Sequence, residues 1–382
     1  MTCFDRTRET ADLWQQFDEG RNLLMLAPRR IGKTVLLNHL RDMAADRGFR
    51  AVILDVEGYR EEKDFFRQCC AAIQEELSTG AKVMTALGDR LSRVFKGRTE
   101  GVGDWRQWLL QTDWREFADH LLAHLDDHAS EPPWLILVDE LPVFLQALQH
   151  RDGDRAIGDF LYWLRNMRQK YRRVRWLYTG SIGLDSIARR HGVEGALNDL
   201  EPFPLSPFDR PTALDFLADI ARRRDCELDQ AAGEIILQRL GWLSPYYLEK
   251  IAEDACTQAG PGGRLDAARA GAAMDNMLEL GKRTYWSTWR EHLDRNFPEP
   301  ERSHLYAVLN AVTRDAAGAT GDTLLGALNR GGGETVGQVE LRSLLDTLLA
   351  DGYLEVNLDG EGRRYHFRMN LLREWWLRYV VL

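Results

Sequence analysis

The sequence predicts an α/β protein, built on a parallel sheet with helices on both faces and followed by a helical region and a small terminal domain. Three observations predict this fold class. Unbroken apolar runs alternate with helical patterns over residues 1–208, which is typical of parallel sheets buried on both sides. Helical patterns alone fill residues 209–290. Beyond residue 300, helical patterns are followed by a β-hairpin pattern.

The first 208 residues supply the elements of the predicted sheet. Strands are expected at 22–26, 51–56, 134–140 and 174–181. Helices are expected at 7–19, 33–47, 61–78, 112–127 and 154–170. The polar, glycine-containing stretch at 80–105 is predicted to be an inserted loop.

The rest of the chain is predicted to be mainly helical. Helices are expected at 211–224, 229–240, 245–257, 265–290, 302–314, 321–329 and 336–350. Two short strands follow around the D-G-E-G turn at 359–362. Three helices and a hairpin are the elements of a winged helix-turn-helix. We therefore expect a core at 1–208, a helical lid at 209–290 and a winged helix-turn-helix domain at 291–382.

Composition narrows the class of protein. The chain has 382 residues, 44% of them apolar, so more than one domain with its own core is expected. A net charge of −9 argues against general binding of nucleic acid. The five cysteines form no C-x-x-C pair, so neither a disulfide framework nor a zinc site is predicted. With no apolar leader and no long apolar run, the sequence indicates a cytoplasmic protein.

Residues 27–34, A-P-R-R-I-G-K-T, match the phosphate-loop pattern G-x-x-x-x-G-K-[ST] except at the first position, where Ala27 replaces glycine. The loop lies between a predicted strand and a predicted helix, whose N-terminal N–H groups favour anions. Lys33 would reach the β- and γ-phosphates of ATP, and the Thr34 hydroxyl would bind Mg²⁺. Ala27 is compatible with the loop if its φ stays negative. A chance G-K-T at a helix start is the alternative. The candidate nucleotide-binding residues here are Ala27, Pro28, Arg29, Arg30, Ile31, Gly32, Lys33 and Thr34.

The apolar strand at 134–140 ends in Asp139 and Glu140. A carboxylate at the carboxyl end of such a strand lies beside the phosphate loop in sheets of this type. Asp139 is the candidate Mg²⁺ ligand through water, and Glu140 would polarise the water that attacks the γ-phosphate. Together with the loop, these residues predict ATP hydrolysis.

The strand at 174–181 ends in Thr179, Gly180 and Ser181. A hydroxyl at this strand end would contact the γ-phosphate, and Ser181 is the candidate, with Thr179 behind it. A polar strand end without a role is the alternative.

Several segments together resemble the archaeal-type ATPases, which are P-loop proteins related to the origin-recognition and STAND branches of the AAA+ class. The segments are F-D-R-T-R-E-T-A-D-L at 4–13, N-L-L-M-L-A-P-R-R-I-G-K-T-V-L-L at 22–37, L-I-L-V-D-E-L-P-V-F-L at 135–145 and G-W-L-S-P-Y-Y-L at 241–248. The ending L-L-R-E-W-W at 371–376 is also similar. The resemblance covers most of the chain, with its strongest motifs in the first 250 residues.

The resemblance implies a five-stranded ASCE-type sheet, with a fifth strand near 199–205, and a nucleotide bound between sheet and lid. It implies that Pro245 packs near adenine and that an arginine of a neighbouring subunit completes the site in an ATP-bound homo-oligomer. Arg172 and Arg173, in a basic run, are candidates for that arginine, and a solvated basic helix end is the alternative. Two departures are Ala27 and the lack of a clear lid arginine after Pro245.

The charges of the terminal domain indicate which kind of partner, DNA or protein, it would bind. Its predicted recognition helix carries Glu340, Asp346 and Asp351 against the single cation Arg342, so it would repel a phosphate backbone. Three arginines of the hairpin, Arg363, Arg364 and Arg368, keep double-stranded DNA open as a partner. A protein partner or effector is favoured.

Two functions remain for the whole chain. The first is an ATP-hydrolysing molecular switch that assembles, or loads a partner protein or DNA, in its ATP state. The second is a nucleotide-dependent DNA-binding regulator with little or no turnover. The resemblance also implies, by family habit alone, work beside a separate effector in antiviral defence or a mobile element.

Overall fold

The computed structural model describes residues 3–78, 114–127, 131–180, 184–331, 335–359 and 362–381. They form two compact units. The first holds the residues up to Leu26 together with Lys33–Leu205, and the second holds Ala27–Gly32 and the residues from Ser206 onwards. The inserted loop predicted at 80–105 lies outside the described residues. The six-residue segment Ala27–Gly32 thus clusters with the second unit although both its neighbours in sequence belong to the first.

The first unit contains a five-stranded sheet in the order β2-β3-β4-β1-β5, with every pairing parallel. Its strands are β1 (Asn22–Leu26), β2 (Arg50–Asp55), β3 (Trp134–Asp139), β4 (Val174–Gly180) and β5 (Leu200–Pro202). The parallel sheet, its four predicted strands and the fifth strand near 199–205 are confirmed. All six residues of β3 are buried, which explains why this strand is an unbroken apolar run.

Seven described helices belong to the first unit: α1 (Thr7–Asp18), α2 (Lys33–Met43), α3 (Glu62–Ser78), α4 (Trp114–Asp126), α5 (Leu141–Asp152), α6 (Asp154–Lys170) and α7 (Leu184–Arg190). The expectation that α2 runs to residue 47 was wrong. It ends at Met43, and a 3₁₀ turn at Ala45–Arg47 leads to Gly48, whose φ of +74° turns the chain into β2. Helices α5 and α7 were not predicted.

Aromatic side chains fill the core beside the sheet. Phe65 of α3, Phe144 of α5 and Phe160 of α6 are each at most 1% exposed. The ring centroid of Phe160 lies 5.2 Å from that of Phe65 and 5.2 Å from that of Phe144, both edge to face. Edge-to-face pairs of this kind add to the free energy gained by burial. Helices α3, α5 and α6 are thereby packed against one another in the core beside the sheet.

The basic run at 165–175 is largely engaged within the first unit. Arg168 is buried and donates two 2.8 Å hydrogen bonds to the carboxylate of Asp199. Arg165 donates to the carbonyl of Gly195 at 2.6 Å. Arg173 donates to the carbonyl of Glu131, whereas Arg172 is exposed. The solvated helix end considered from the sequence is therefore wrong for Arg168.

The described helices of the second unit are α8 (Arg210–Arg223), α9 (Gln230–Leu240), α10 (Pro245–Ala259), α11 (Ala267–Met277), α12 (Thr284–Asn296), α13 (Glu301–Thr313), α14 (Gly321–Leu328), α15 (Gln338–Ala350) and α16 (Asn370–Tyr379). The single helix expected at 265–290 was wrong. It is two helices, α11 and α12, which are separated by a 3₁₀ turn at Leu280–Lys282.

Two small sheets complete the second unit. Strands β6 (Cys226–Leu228) and β7 (Gly263–Leu265) form a parallel pair that was not predicted. Strands β8 (Ala319–Thr320), β9 (Leu354–Asp359) and β10 (Gly362–Phe367) form an antiparallel sheet in the order β8-β10-β9. The predicted order of three helices followed by a hairpin is therefore present.

The C-terminal tryptophans belong to the core of the second unit. Trp375 and Trp376 of α16 are at most 1% exposed. The indole N–H of Trp376 donates to the side chain of Asn310 at 2.9 Å, which satisfies its polar atom. Within the ranges that the structure covers, no helix has the length and apolarity needed to cross a bilayer.

Candidate nucleotide-binding site

The phosphate loop connects β1 to α2, as predicted. Within it Arg30 has a φ of +68° and Gly32 a φ of +95°. Left-handed residues inside a turn produce concavities lined by backbone N–H groups, which bind anions. Ala27 is not among the described non-glycine residues with positive φ, so the condition set for alanine at the first position is met.

Helix α2 begins at Lys33, the lysine of the motif. Its side chain is only 6% exposed. Ile31, two positions before it in the loop, is 1% exposed. The positive end of the helix dipole and the ammonium group therefore both belong to the start of α2, which favours a polyphosphate there.

Asp139, at the carboxyl end of β3, is the centre of a hydrogen-bond network. Its Oδ2 accepts a 2.7 Å hydrogen bond from the Thr34 hydroxyl. Its Oδ1 accepts from the Thr179 hydroxyl of β4 and, at 3.1 Å, from the backbone N–H of Glu140. Asp139 is 5% exposed, and such a buried carboxylate requires donors of this kind. Asp139 is thus held beside Thr34, its predicted fellow Mg²⁺ ligand.

Glu140 follows β3 and has a φ of +58° and a ψ of +37°. This left-handed conformation costs roughly 1–2 kcal/mol for a residue with a Cβ. Strained residues of this kind cluster at functional sites. Glu140 also precedes α5, whose early Pro142 is tolerated in the first turn of a helix. The strain marks Glu140 independently of the sequence motif.

Of the two hydroxyl residues predicted at the end of β4, the described residues include only Thr179. Ser181, the candidate γ-phosphate contact, lies outside the described residues. Thr179, which was placed behind it, is fully buried and bonds Asp139. Its position in the apolar run gave no signal that it would be the partner of that carboxylate.

Asp55 is a further acidic residue at this edge of the sheet, which the sequence reasoning missed. It is the register partner of Asp139 on the neighbouring strand. It is exposed, and its Oδ1 accepts a 3.1 Å hydrogen bond from the N–H of Glu57. The signal that could have found it is an aspartate directly after the apolar run V-I-L.

Loop residues 27–32 also have partners in the second unit. The hydroxyl of Ser244 donates a 2.6 Å hydrogen bond to the carbonyl of Arg30. A Cβ on Gly352 would lie 2.5 Å from Cγ of Pro28, so that glycine gives the loop the room it needs. Pro245 is the first residue of α10, and its predicted place near adenine stays a prediction.

The residues fit Mg²⁺ and a nucleotide chemically. Mg²⁺ prefers oxygen ligands and is bound in proteins by one or two side chains together with substrate phosphates. Thr34 and Asp139 supply such oxygens 2.7 Å apart. Among the described residues there is no group of three or more His, Cys, Asp or Glu that could hold a metal ion.

The fold is similar to that of two solved archaeal proteins. A Walker-type ATPase of Pyrococcus abyssi has a TM-score of 0.66 and 18% identity, over 98% of this chain and 95% of that one. The ORC2 protein of Aeropyrum pernix, solved as ADPNP–ADP complexes, has a TM-score of 0.57 and 12% identity, over 98% and 93%. No known family profile matches the sequence, and no curated protein matches it significantly. The likeness shows a shared fold.

Proposed function

We propose that this protein is an Mg²⁺-dependent ATPase that works as a molecular switch and assembles, or loads a partner, in its ATP state. The observation that carries the proposal is the hydrogen bond between Thr34 and Asp139. It joins the motif threonine to the acidic strand end across 105 positions of sequence. A chance G-K-T would have no reason to meet that carboxylate.

The residues take the following roles in this proposal. The backbone N–H groups of the loop, with Arg29 and Arg30, bind the phosphates of ATP, and Lys33 neutralises charge on the β- and γ-phosphates. Thr34, and Asp139 through water, would hold Mg²⁺, which would supply a positive charge that orients the phosphates.

Glu140 accepts a proton from the attacking water and aligns it with the γ-phosphate. Ser181 donates to the γ-phosphate, and Thr179 keeps Asp139 oriented. Pro245 packs near adenine. These assignments extend the geometry of the described residues to a bound nucleotide.

The proposal divides the chain into three working parts. Residues 1–208 form the ATPase core, 209–290 a lid, and 291–382 a winged helix-turn-helix domain in which α15 is the recognition helix and β9–β10 the wing. Support comes from the element order in the second unit.

The partner of the terminal domain is proposed to be a protein. Val339 of α15 is 86% exposed, and Leu358 of β9 is 80% exposed. Exposed apolar side chains favour contact with protein, and Glu340 and Asp346 on α15 oppose contact with a phosphate backbone. Double-stranded DNA, bound through the hairpin arginines, is the competing partner.

The experiment that tests the proposal is ATP turnover per subunit over a hundredfold range of protein concentration, with Lys33→Ala as the blank. A rate per subunit that rises with concentration would support a site completed by an arginine of a neighbouring subunit. A flat rate above the blank would support a self-contained ATPase and exclude that arginine. Turnover equal to the blank at every concentration would contradict hydrolysis and favour the DNA-binding regulator.

A further inference from the structure

The side chain of Arg30, in the middle of the phosphate loop, rests on an aromatic ring of α10. Its guanidinium carbon lies 4.1 Å from the ring centroid of Tyr246 and 5.8 Å from that of Tyr247. One of its terminal nitrogens donates a 3.1 Å hydrogen bond to the hydroxyl of Thr288 on α12. These residues all belong to the second unit. The loop arginine is thus oriented by two helices that lie more than 200 residues later in the chain.

The main chain of Arg30 is also held by the start of α10. Ser244 is fully buried and lies at the N-cap of α10, where a serine usually accepts a hydrogen bond from its own helix. Ser244 makes no such capping bond, and its hydroxyl donates to the carbonyl of Arg30 at 2.6 Å instead. This bond fixes the peptide of a residue whose φ is +68°. Ser244 therefore stabilises the loop conformation rather than its helix end.

The ring that carries Arg30 is itself fixed by other aromatic side chains. The ring centroid of Tyr246 lies 5.3 Å from that of Tyr247 and 6.2 Å from that of Tyr285 on α12. Tyr247 is fully buried, and its hydroxyl accepts a 2.7 Å hydrogen bond from the indole of Trp289. The Tyr246 ring under Arg30 is thus part of a packed cluster of aromatic side chains.

This arrangement leaves donors of Arg30 for an anion. A guanidinium group has five N–H donors in its plane, and a ring below it occupies only the face. The bond to Thr288 uses one nitrogen. The planar fork of arginine suits phosphate oxygens, which it can bind through two parallel hydrogen bonds. Helix α10 itself contains no arginine, so it cannot supply such a fork.

We propose that Arg30 is a phosphate-sensing residue, carried by the loop but positioned by Ser244, Tyr246 and Thr288. The inference rests on the proposed binding of ATP at the loop. Binding of the triphosphate then strengthens the contacts between the loop and helices α10 and α12. By reciprocity, weakening those contacts lowers the affinity for ATP.

Titration calorimetry of each variant with ATP and with ADP, in Mg²⁺, tests the inference. Arg30→Ala should weaken ATP binding by about tenfold or more, which corresponds to one charge-assisted hydrogen bond. It should weaken ADP binding less. Tyr246→Leu should weaken ATP binding in the same direction, and Tyr246→Phe should restore it because the ring remains. If Tyr246→Leu fails to fold, Thr288→Val takes its place.

The double variant decides whether Tyr246 acts through Arg30. Arg30→Ala combined with Tyr246→Leu should bind ATP no more weakly than Arg30→Ala alone, because both changes remove one interaction. Arg29→Ala is the matched control, since it removes the same charge one position earlier. The loss of ATP affinity caused by Arg29→Ala should add to the loss caused by Tyr246→Leu.

Two results for the Tyr246→Leu change would overturn the inference. One is wild-type ATP affinity for Tyr246→Leu while Arg30→Ala is weakened, and the other is full additivity of these two changes. Failure of the proposed function looks different, because Lys33→Ala would then bind ATP as well as the wild type. Loss of binding in Lys33→Ala with unchanged binding in Arg30→Ala would reject the inference alone.

Discussion

The hydroxyl of Thr34 lies 2.7 Å from Oδ2 of Asp139 and donates a hydrogen bond to it. Such a distance is typical of a bond to a charged acceptor. The same two side chains are the ones proposed to bind Mg²⁺, and the hydrogen bond holds them next to each other.

Replacing Lys33 with alanine should abolish stabilisation by ATP. At ATP about 100-fold above Kd, the wild type should gain roughly 2.7 kcal/mol in the free energy of unfolding. Thermal melting with and without Mg²⁺-ATP measures this gain. Lys63→Ala is the control, because it removes an exposed lysine of α3 that pairs with Glu61. An equal gain in Lys33→Ala would refute the assigned loop.

Replacing Asp139 with asparagine should remove the Mg²⁺ dependence of ATP binding while the fold is kept. Asparagine has the size of aspartate but lacks the charge that Mg²⁺ requires. Nucleotide affinity measured across a Mg²⁺ titration reports the change. Asp42→Asn, on the exposed side of α2, should titrate like the wild type. A Mg²⁺ titration unchanged in Asp139→Asn would place the metal elsewhere.

Replacing Thr179 with valine should lower the affinity for Mg²⁺ by about 10- to 100-fold, the usual effect of losing a partner that orients a metal ligand. Valine keeps the shape of threonine but cannot donate to Asp139. Thr179→Ser keeps the hydroxyl and should recover most of the affinity. The same Mg²⁺ titration separates the two variants. If valine and serine gave equal values, the hydroxyl would have no part in positioning the carboxylate.

Replacing Glu140 with glutamine should stop turnover and hold the protein in its ATP-bound assembly. Glutamine cannot accept the proton of the attacking water, whereas binding does not need the charge. Light scattering in ATP and in ADP gives the assembly state. The DNA-binding regulator predicts little change on this substitution. If Glu140→Gln had the same mass in both nucleotides, the switch would be rejected.

Replacing Glu140 with glycine should raise stability while it also stops turnover. Glycine adopts a φ of +58° without the steric cost to glutamate, so the gain should be about 1 kcal/mol. Urea unfolding compares the free energy of unfolding of Glu140→Gly with that of Glu140→Gln. Both variants lack the carboxylate, so the loss of charge is the same in each. Lower stability in the glycine variant would show that the glutamate side chain contributes more than its backbone strain costs.

Much of the sheet could be predicted from the sequence. Strands β1 and β3 are unbroken apolar runs because both of their faces are buried in a parallel sheet. Helix α10 was placed correctly because Pro245 suits its first turn. The single helix expected at 265–290 failed because helical periodicity continues on both sides of the turn at Leu280–Lys282.

The residues of the candidate site also fall into two groups, those that the sequence indicated and those that it did not. Lys33, Thr34, Asp139 and Glu140 could be proposed from the sequence because the motifs are local and the chemistry needs those residue types. Thr179 could not be assigned its bond to Asp139, because threonine is an ordinary residue in a strand. The left-handed φ of Glu140 could not be foreseen either, since glutamate has no preference for it.

The sequence by itself determined the phosphate loop, the acidic strand end and the alternation of strands and helices, because each depends on residues that are neighbours in the chain. The tertiary structure alone decided the strand order β2-β3-β4-β1-β5 and the partners of Asp139. It alone joined Arg30 to Ser244 and Tyr246. The physical reason is that contacts between distant residues arise from packing of whole elements, which local periodicity and propensity do not encode.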